Sequence, residues 1–216
     1  MTEHNFEQMR RAMVASQLRT TGVNDPRVLA AIGAVPRERF VPEGRLGQAY
    51  ADALVPLGGG RELNTPMSLG RLLAEARPQD NDRTLLIGAA TGYAAAVLAR
   101  LAGSVIAVEE DPALAQAARA ALAGTGVELI EGPLVEGHAV GAPYDLILID
   151  GAVETIPQAL IEQLADHGRL AAAMLVRGVA QISVGRRGGD GFGMAAFADV
   201  ASAYLPGFAR PRTFSF

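Results

Sequence analysis

This chain of 216 residues has no cysteine and no tryptophan, and it has only three histidines. Without cysteine there is no disulfide framework, no thiol nucleophile and no thiolate-based metal site. His4, His138 and His167 are far apart in sequence and none belongs to a His-x-x-x-His pair, so no metal site is expected. No apolar run approaches the roughly 18 residues that span a bilayer. The N-terminus, Met1-Thr-Glu-His-Asn-Phe6, has no basic-then-apolar leader. Neither sign of charge dominates, and a formal net charge of −4 argues against broad binding to nucleic acid or to anionic membranes. Half of the residues are hydrophobic and 19% are charged, which excludes global disorder and supplies a real core. The reading is a soluble, cytoplasmic protein.

What is present is concentrated in Thr84-Leu-Leu-Ile-Gly-Ala-Ala-Thr-Gly-Tyr93, an apolar strand that enters a Gly-x-x-x-Gly turn and opens an alanine-rich helix. A second apolar strand, Ser104-Val-Ile-Ala-Val108, ends in Glu109 and Glu110. Glycines allow a sharp turn and close approach of a ligand, and a helix start offers free N–H groups. Glu109 lies 21 positions after Gly88. That is about the ~20-residue spacing at which a carboxylate meets the two hydroxyls of a ribose. The pattern points to an adenosine-containing cofactor.

Along the chain, residues 5–20 have the apolar spacing of an amphipathic helix. Asp25-Pro26 and Thr65-Pro66 each read as an N-cap followed by proline at the first helical position. Residues 35–42 form a proline-bounded connector, residues 48–62 read as a polar, glycine-rich loop, and 58–66 as the cover over the site. From Arg83, strands 83–88, 104–109, 127–131, 144–150 and 168–175 alternate with helices 92–102, 112–123 and 157–165. Alternation of this kind implies a doubly wound α/β sheet with right-handed crossovers. Strand 179–187, the Gly-Gly-Asp-Gly turn at 188–191 and a last strand near 212–216 predict an antiparallel hairpin at the end. Ligands in such sheets sit at the C-terminal strand ends, here Gly88–Tyr93, Glu109–Asp111, Gly132–Leu134 and Asp150–Ala152.

Several segments are specific enough to indicate a family. They include Met13-Val-x-x-Gln-Leu18, Val35-Pro-Arg-Glu-Arg-Phe-Val-Pro42, Ala49-Tyr-Ala-Asp52, Gly88-x-x-x-Gly-Tyr-x-Ala-Ala-Val-Leu-Ala99, Pro143-Tyr-Asp145 and Gln163-Leu-x-x-x-Gly-Arg-Leu170. In this order, over nearly the whole chain, they resemble protein-L-isoaspartate O-methyltransferases. The resemblance implies a class I S-adenosylmethionine-dependent methyltransferase fold, Rossmann-like, mostly parallel, with a C-terminal antiparallel hairpin and an N-terminal helical extension. It implies one methyltransferase domain over 1–216, with 1–80 as helical and substrate-loop extension and 81–216 as core. It also implies S-adenosyl-L-methionine as cofactor and isoaspartyl residues of damaged proteins as methyl acceptors.

Mapped onto this chain, Gly88, Ala89, Ala90, Gly92 and Tyr93 form the cofactor turn. Glu109 meets the ribose with Glu110 beside it, and Pro133 and Leu134 lie on the adenine side. Asn64 and Thr65 stand in the acceptor loop. The chain departs from the family pattern at sensitive points. Leu86 replaces an acid, Ala90 the middle glycine, and Pro133 the aspartate of a Gly-Asp-Gly segment. Leu63-Asn64-Thr65-Pro66 replaces Ile-Ser-Gln-Pro. Asp150 could orient the cofactor's amino group, hold a metal or cap a turn, whereas Asp145 reads as structural. Arg61 and Arg177 are candidates to pair with a substrate carboxylate. The departures keep two alternatives open, a changed carboxylate acceptor and a non-catalytic cofactor-binding homologue. Oligomeric state is not readable.

Overall fold

Local capping begins two of the helices as their sequences dictate. The Asp25 side chain accepts hydrogen bonds from the N–H groups of Arg27 and Val28 and opens helix α2, Pro26–Ala34. Thr65 accepts from the Ser68 N–H at 3.0 Å and opens α3, Pro66–Ala76. In each case proline occupies the first helical position, where its missing N–H would have no partner anyway. The computed structural model describes residues 3–189 and 191–210. The strand expected near 212–216 lies outside the described residues.

The first helix, α1, is shorter than its apolar spacing suggested. It covers Glu3–Met13, continues as a π-helical segment Val14–Leu18 and closes with a 3₁₀ turn, Arg19–Thr21. The expected loop at 48–62 also needs correction. It contains a small antiparallel hairpin of β1, Val55–Gly58, and β2, Arg61–Leu63, turned by Gly58, Gly59 and Gly60, all with positive φ.

The central sheet takes the expected alternation. Its strands are β3 (Arg83–Ile87), β4 (Ser104–Glu109), β5 (Glu128–Glu131), β6 (Tyr144–Val153), β7 (Leu164–Val176), β8 (Val179–Gly188) and β9 (Gly191–Val200). The order across the sheet is β5-β4-β3-β6-β7-β8-β9, parallel from β5 to β7 and antiparallel from β7 to β9. Helices α4 (Tyr93–Leu98), α5 (Pro112–Ala121) and α6 (Gln158–Glu162) lie in the crossovers, α4 and α6 shorter than expected. The inner strands are apolar on both faces, as covered parallel strands must be. Leu85, Leu86, Ile87, Ile147, Leu148 and Ile149 are all completely buried. The largest apolar cluster joins Phe6, Met13 and Ile32 of the N-terminal helices to Leu86, Leu148 and Ile182 of the sheet. This is the class I methyltransferase architecture.

Two features of this fold position the site. The chain leaves β3 toward β4 and β5 on one side and returns to β6 on the other, so strand order reverses between β3 and β6, where ligands bind in open α/β sheets. Beyond Ile149, β6 no longer pairs with β3, and its register against β7 shifts between Leu148 and Ala152. That freed end pairs with the C-terminal segment instead. Ala152 donates to Ala203 O at 2.6 Å, and Leu205 donates to Ala152 O at 3.0 Å.

Candidate active site

The glycine turn after β3 is held by the neighbouring strand. The N–H groups of Gly88 and Ala89 both donate to Val108 O at 3.0 Å. Gly88, Ala90 and Gly92 all have left-handed backbone, with φ of 81°, 49° and 100°. Ala90, where a middle glycine was expected, therefore keeps a glycine-like conformation. That conformation costs a residue with a Cβ on the order of 1 kcal/mol. Packing within the chain accounts for the two glycines. A Cβ built at Gly88 would lie 2.9 Å from Leu205 Cδ1, and one at Gly92 would lie 3.0 Å from Leu122 Cγ.

Glu109 ends β4 fully buried. Its Oε2 accepts from the Ala90 N–H at 2.7 Å, and its Oε1 accepts from the N–H groups of Asp111 and Glu110 at 3.0 and 3.1 Å. Across it lies Arg61 of β2, which is also buried. Arg61 donates from Nη1 to Oε1 at 2.6 Å and from Nη2 to Oε2 at 3.0 Å. The bidentate pair ties the β1–β2 hairpin to the cofactor turn. Arg61 is thereby engaged by this chain's own acid rather than free for a substrate. Glu110 is exposed and contributes only its backbone here.

A second polar cluster forms where β6 ends. Asn64 is buried between β2 and α3, and its Nδ2 donates to Asp150 Oδ1 at 2.6 Å. Its Oδ1 accepts from the Ala203 N–H at 2.7 Å and from Ser202 Oγ at 3.1 Å. One side chain thus joins the acceptor loop, the β6 end and the C-terminal segment. Thr65 is also buried, with its hydroxyl oxygen capping α3. Among the described residues no group of three His, Cys, Asp or Glu side chains that could hold a metal ion is found.

Burial pushes the Asp150 carboxyl above its ordinary value of 3.8, against the opposing pull of the Asn64 hydrogen bond and of Arg37 and Arg61. An acid with a raised folded pKa holds its proton more tightly in the folded state, so its contribution to stability is lost as pH rises from the unfolded value through the folded one. Asp150→Asn keeps an acceptor for Asn64 and removes this titration. In urea unfolding from about pH 3 to pH 8, the stability of the wild type relative to Asp150→Asn should fall with pH and then level off. A difference that rises with pH would show that the folded state favours the anion.

Tyr93 packs fully buried at the start of α4, edge-on to Phe40 with ring centroids 5.6 Å apart. Arg37 covers its ring, with the guanidinium carbon 4.6 Å from the centroid. Thr91 Oγ1 donates to Phe40 O at 2.6 Å and fastens the turn to the same connector. Pro133 is exposed, while Leu134 is completely buried and packs in the core beneath β5. Arg177 sits in the exposed turn between β7 and β8, apart from these clusters. Asp145 is structural as read, accepting from the Arg83 N–H at 2.8 Å.

The structure therefore gathers Asn64, Thr65, the Gly88–Tyr93 turn, Glu109 and Asp150 around the switch between β3 and β6. The sequence reading missed Arg37, which it placed in a connector, and it missed the use of Ser202 and Ala203 as partners of Asn64. No local pattern marks these contacts, since 138 and 139 positions separate the partners.

Comparison with known proteins agrees with this geometry. The profile of the protein-L-isoaspartate(D-aspartate) O-methyltransferase family matches residues 9–200. A protein-L-isoaspartate O-methyltransferase of Methanoregula boonei is 44% identical over 184 residues, 84% of this chain and 85% of the relative. One from Methylorubrum extorquens is 43% identical over 164 residues, covering 74% and 72%. A solved protein-L-isoaspartate O-methyltransferase superposes with a TM-score of 0.80 at 21% identity, over 92% of this chain and 66% of that one. A Plasmodium falciparum structure described as such an enzyme in complex with S-adenosyl-L-homocysteine gives 0.77 at 16% identity, over 91% and 97%. The chain belongs to the protein-L-isoaspartate(D-aspartate) O-methyltransferase family.

Proposed function

We propose that this protein transfers the methyl group of S-adenosyl-L-methionine to the free carboxylate of L-isoaspartyl residues in damaged proteins, in the cytoplasm, as a repair step. The single observation that carries the reading is the placement of Glu109. A buried carboxylate ends the strand beside the cofactor turn and bonds to the Ala90 N–H within it. Its two oxygens suit the two hydroxyls of a ribose.

The residues present fit the cofactor on one condition. Gly88, Ala89, Ala90, Gly92 and Tyr93 would form its cradle, with Pro133 offering an apolar edge to the base and Glu110 at the rim, whereas Leu134 is packed in the core and offers the base no side chain. Both Glu109 oxygens are already chelated by Arg61, so the ribose and Arg61 compete for the same acceptor. When bound, the cofactor supplies an electrophilic methyl group. The protein's own part is to hold the acceptor in line and keep water away, since an acceptor carboxylate is already ionised at neutral pH and needs no base. Asn64 and Thr65 border the acceptor, and Asp150 fixes Asn64.

A second reading changes the acceptor to another carboxylate, a peptide aspartate or a small molecule. It is favoured by the state of Asn64, whose side-chain oxygen is fully engaged within the chain. Labelled S-adenosylmethionine offered with an isoaspartyl peptide and its aspartyl twin separates the two. Base-labile label on the isoaspartyl peptide alone is the expected result. No label on either, with S-adenosylhomocysteine binding retained by calorimetry, would move the assignment to the second reading. Absence of both would overturn the assignment altogether.

A further inference from the structure

Among the described residues two arginines, Arg37 and Arg61, are buried, and only one of them has a carboxylate at hand. Arg61 holds Glu109. Arg37 starts the short 3₁₀ turn Arg37–Phe40 and is completely buried. Among the described residues no carboxylate oxygen lies within 4.0 Å of the Arg37 guanidinium nitrogens, whereas Glu109 lies 2.6 Å from Arg61. Its Nη2 donates to the Asn64 carbonyl at 2.5 Å, and its Nε has no hydrogen-bond partner. The Tyr93 hydroxyl, on the ring beneath the guanidinium, feels the charge of Arg37 but makes no hydrogen bond of normal geometry. Asp150 is the acid whose charge Arg37 feels, and that carboxylate is taken up by Asn64.

A desolvated guanidinium with no counter-ion is among the costlier things a fold can hold. Stacking on an aromatic face recovers part of that cost and leaves the in-plane N–H groups for a planar acceptor. The location completes the case. Tyr93 opens the helix after the cofactor turn, and Asn64 belongs to the acceptor loop, so Arg37 bridges the two halves of the site. We propose that Arg37 receives a ligand carboxylate in this site, with its Nε–H and the Tyr93 hydroxyl as the donors now unmet. The inference rests on the methyltransferase reading, under which two ligands carry such a group: the amino-acid end of the cofactor, and the methyl acceptor.

Paired probes that differ only in this charge test the assignment and identify the source. Calorimetry would compare S-adenosylhomocysteine with its carboxamide. In the presence of S-adenosylhomocysteine it would also compare an isoaspartyl peptide with its isoasparaginyl amide. The wild type should prefer the acid of one pair by at least about tenfold, and Arg37→Gln should reduce that preference to within about twofold. The pair that responds names the source, and the other pair should be unmoved. Arg37→Lys keeps the charge without the planar fork and should retain an intermediate preference. If neither variant folds, the wild type still decides, because the buried Arg37 Nε–H resonance should shift on adding the acid of the responding pair and not its amide. A preference that survives in folded Arg37→Gln, or a resonance blind to both acids, would overturn the proposal. Absence of wild-type preference with both probes bound would also overturn it and leave the methyltransferase reading intact. Binding of no probe at all would overturn that reading and this proposal together.

Discussion

Replacing Glu109 by leucine should destabilise the protein by about 3–5 kcal/mol, because it strands the buried Arg61 without a counter-ion. It also removes the acceptor for three backbone N–H groups, those of Ala90, Glu110 and Asp111. In a chain of this length each kcal/mol lowers Tm by roughly 2–4 °C, so the transition should fall by about 10 °C. Arg61→Met should be milder, about 1–3 kcal/mol, because the Glu109 carboxylate would keep those three donors. Combining the two should recover much of the loss, since an apolar pair no longer leaves one charge uncompensated. Calorimetry adds a second axis on which the two single variants should part company. Glu109→Leu should abolish S-adenosylhomocysteine binding, whereas Arg61→Met should tighten it by removing the competitor for the ribose oxygens. Equal destabilisation by both single changes, or weaker binding in Arg61→Met, would contradict this account of the pair.

The second large effect is expected at Asn64. Asn64→Ser restores a hydroxyl to the acceptor loop, yet the shorter side chain cannot reach Asp150, Ser202 and Ala203 together. Two buried groups, the Asp150 carboxylate and the Ala203 N–H, then lose their partners. At about 1–3 kcal/mol for each unsatisfied buried group, a loss of about 2–4 kcal/mol in urea unfolding is the expected outcome. Asn64→Ser combined with Asp150→Ala should be less destabilised than Asn64→Ser alone, because the stranded carboxylate is gone. If instead the single variant is as stable as the wild type, the network around Asn64 contributes little to the fold.

Much of the architecture was legible because its causes are local. The buried strands β3, β4 and β6 announce themselves as apolar runs. Asp25 and Thr65 cap helices through bonds reaching two or three residues ahead. The Gly-rich turn after β8 forced an antiparallel partner, and the strand that follows begins at once at Gly191. The hairpin Val55–Leu63 escaped because Arg61 points inward, so a buried position read as polar. Arg37 escaped for the same reason: Arg-Glu-Arg looks like a solvated turn, and only tertiary packing sets its first arginine on Tyr93. At Ala90, where the family pattern carries a middle glycine, the backbone takes a left-handed geometry and donates to Glu109.

The three-way junction at Asn64 has a consequence for the order in which the protein can mature. Asn64 precedes its partners by 86 positions at Asp150 and 139 at Ala203. During synthesis the acceptor loop emerges long before the segment that clamps it, and loop closure over such separations is slow to form. The sheet up to β7 can assemble while the ribosome is still adding β8 and β9, as chains generally fold from the N-terminus onward. The junction cannot close until residue 203 is free. A nascent chain would therefore hold a folded core with an unfinished active site until the segment at Ser202 and Ala203 is available to Asn64.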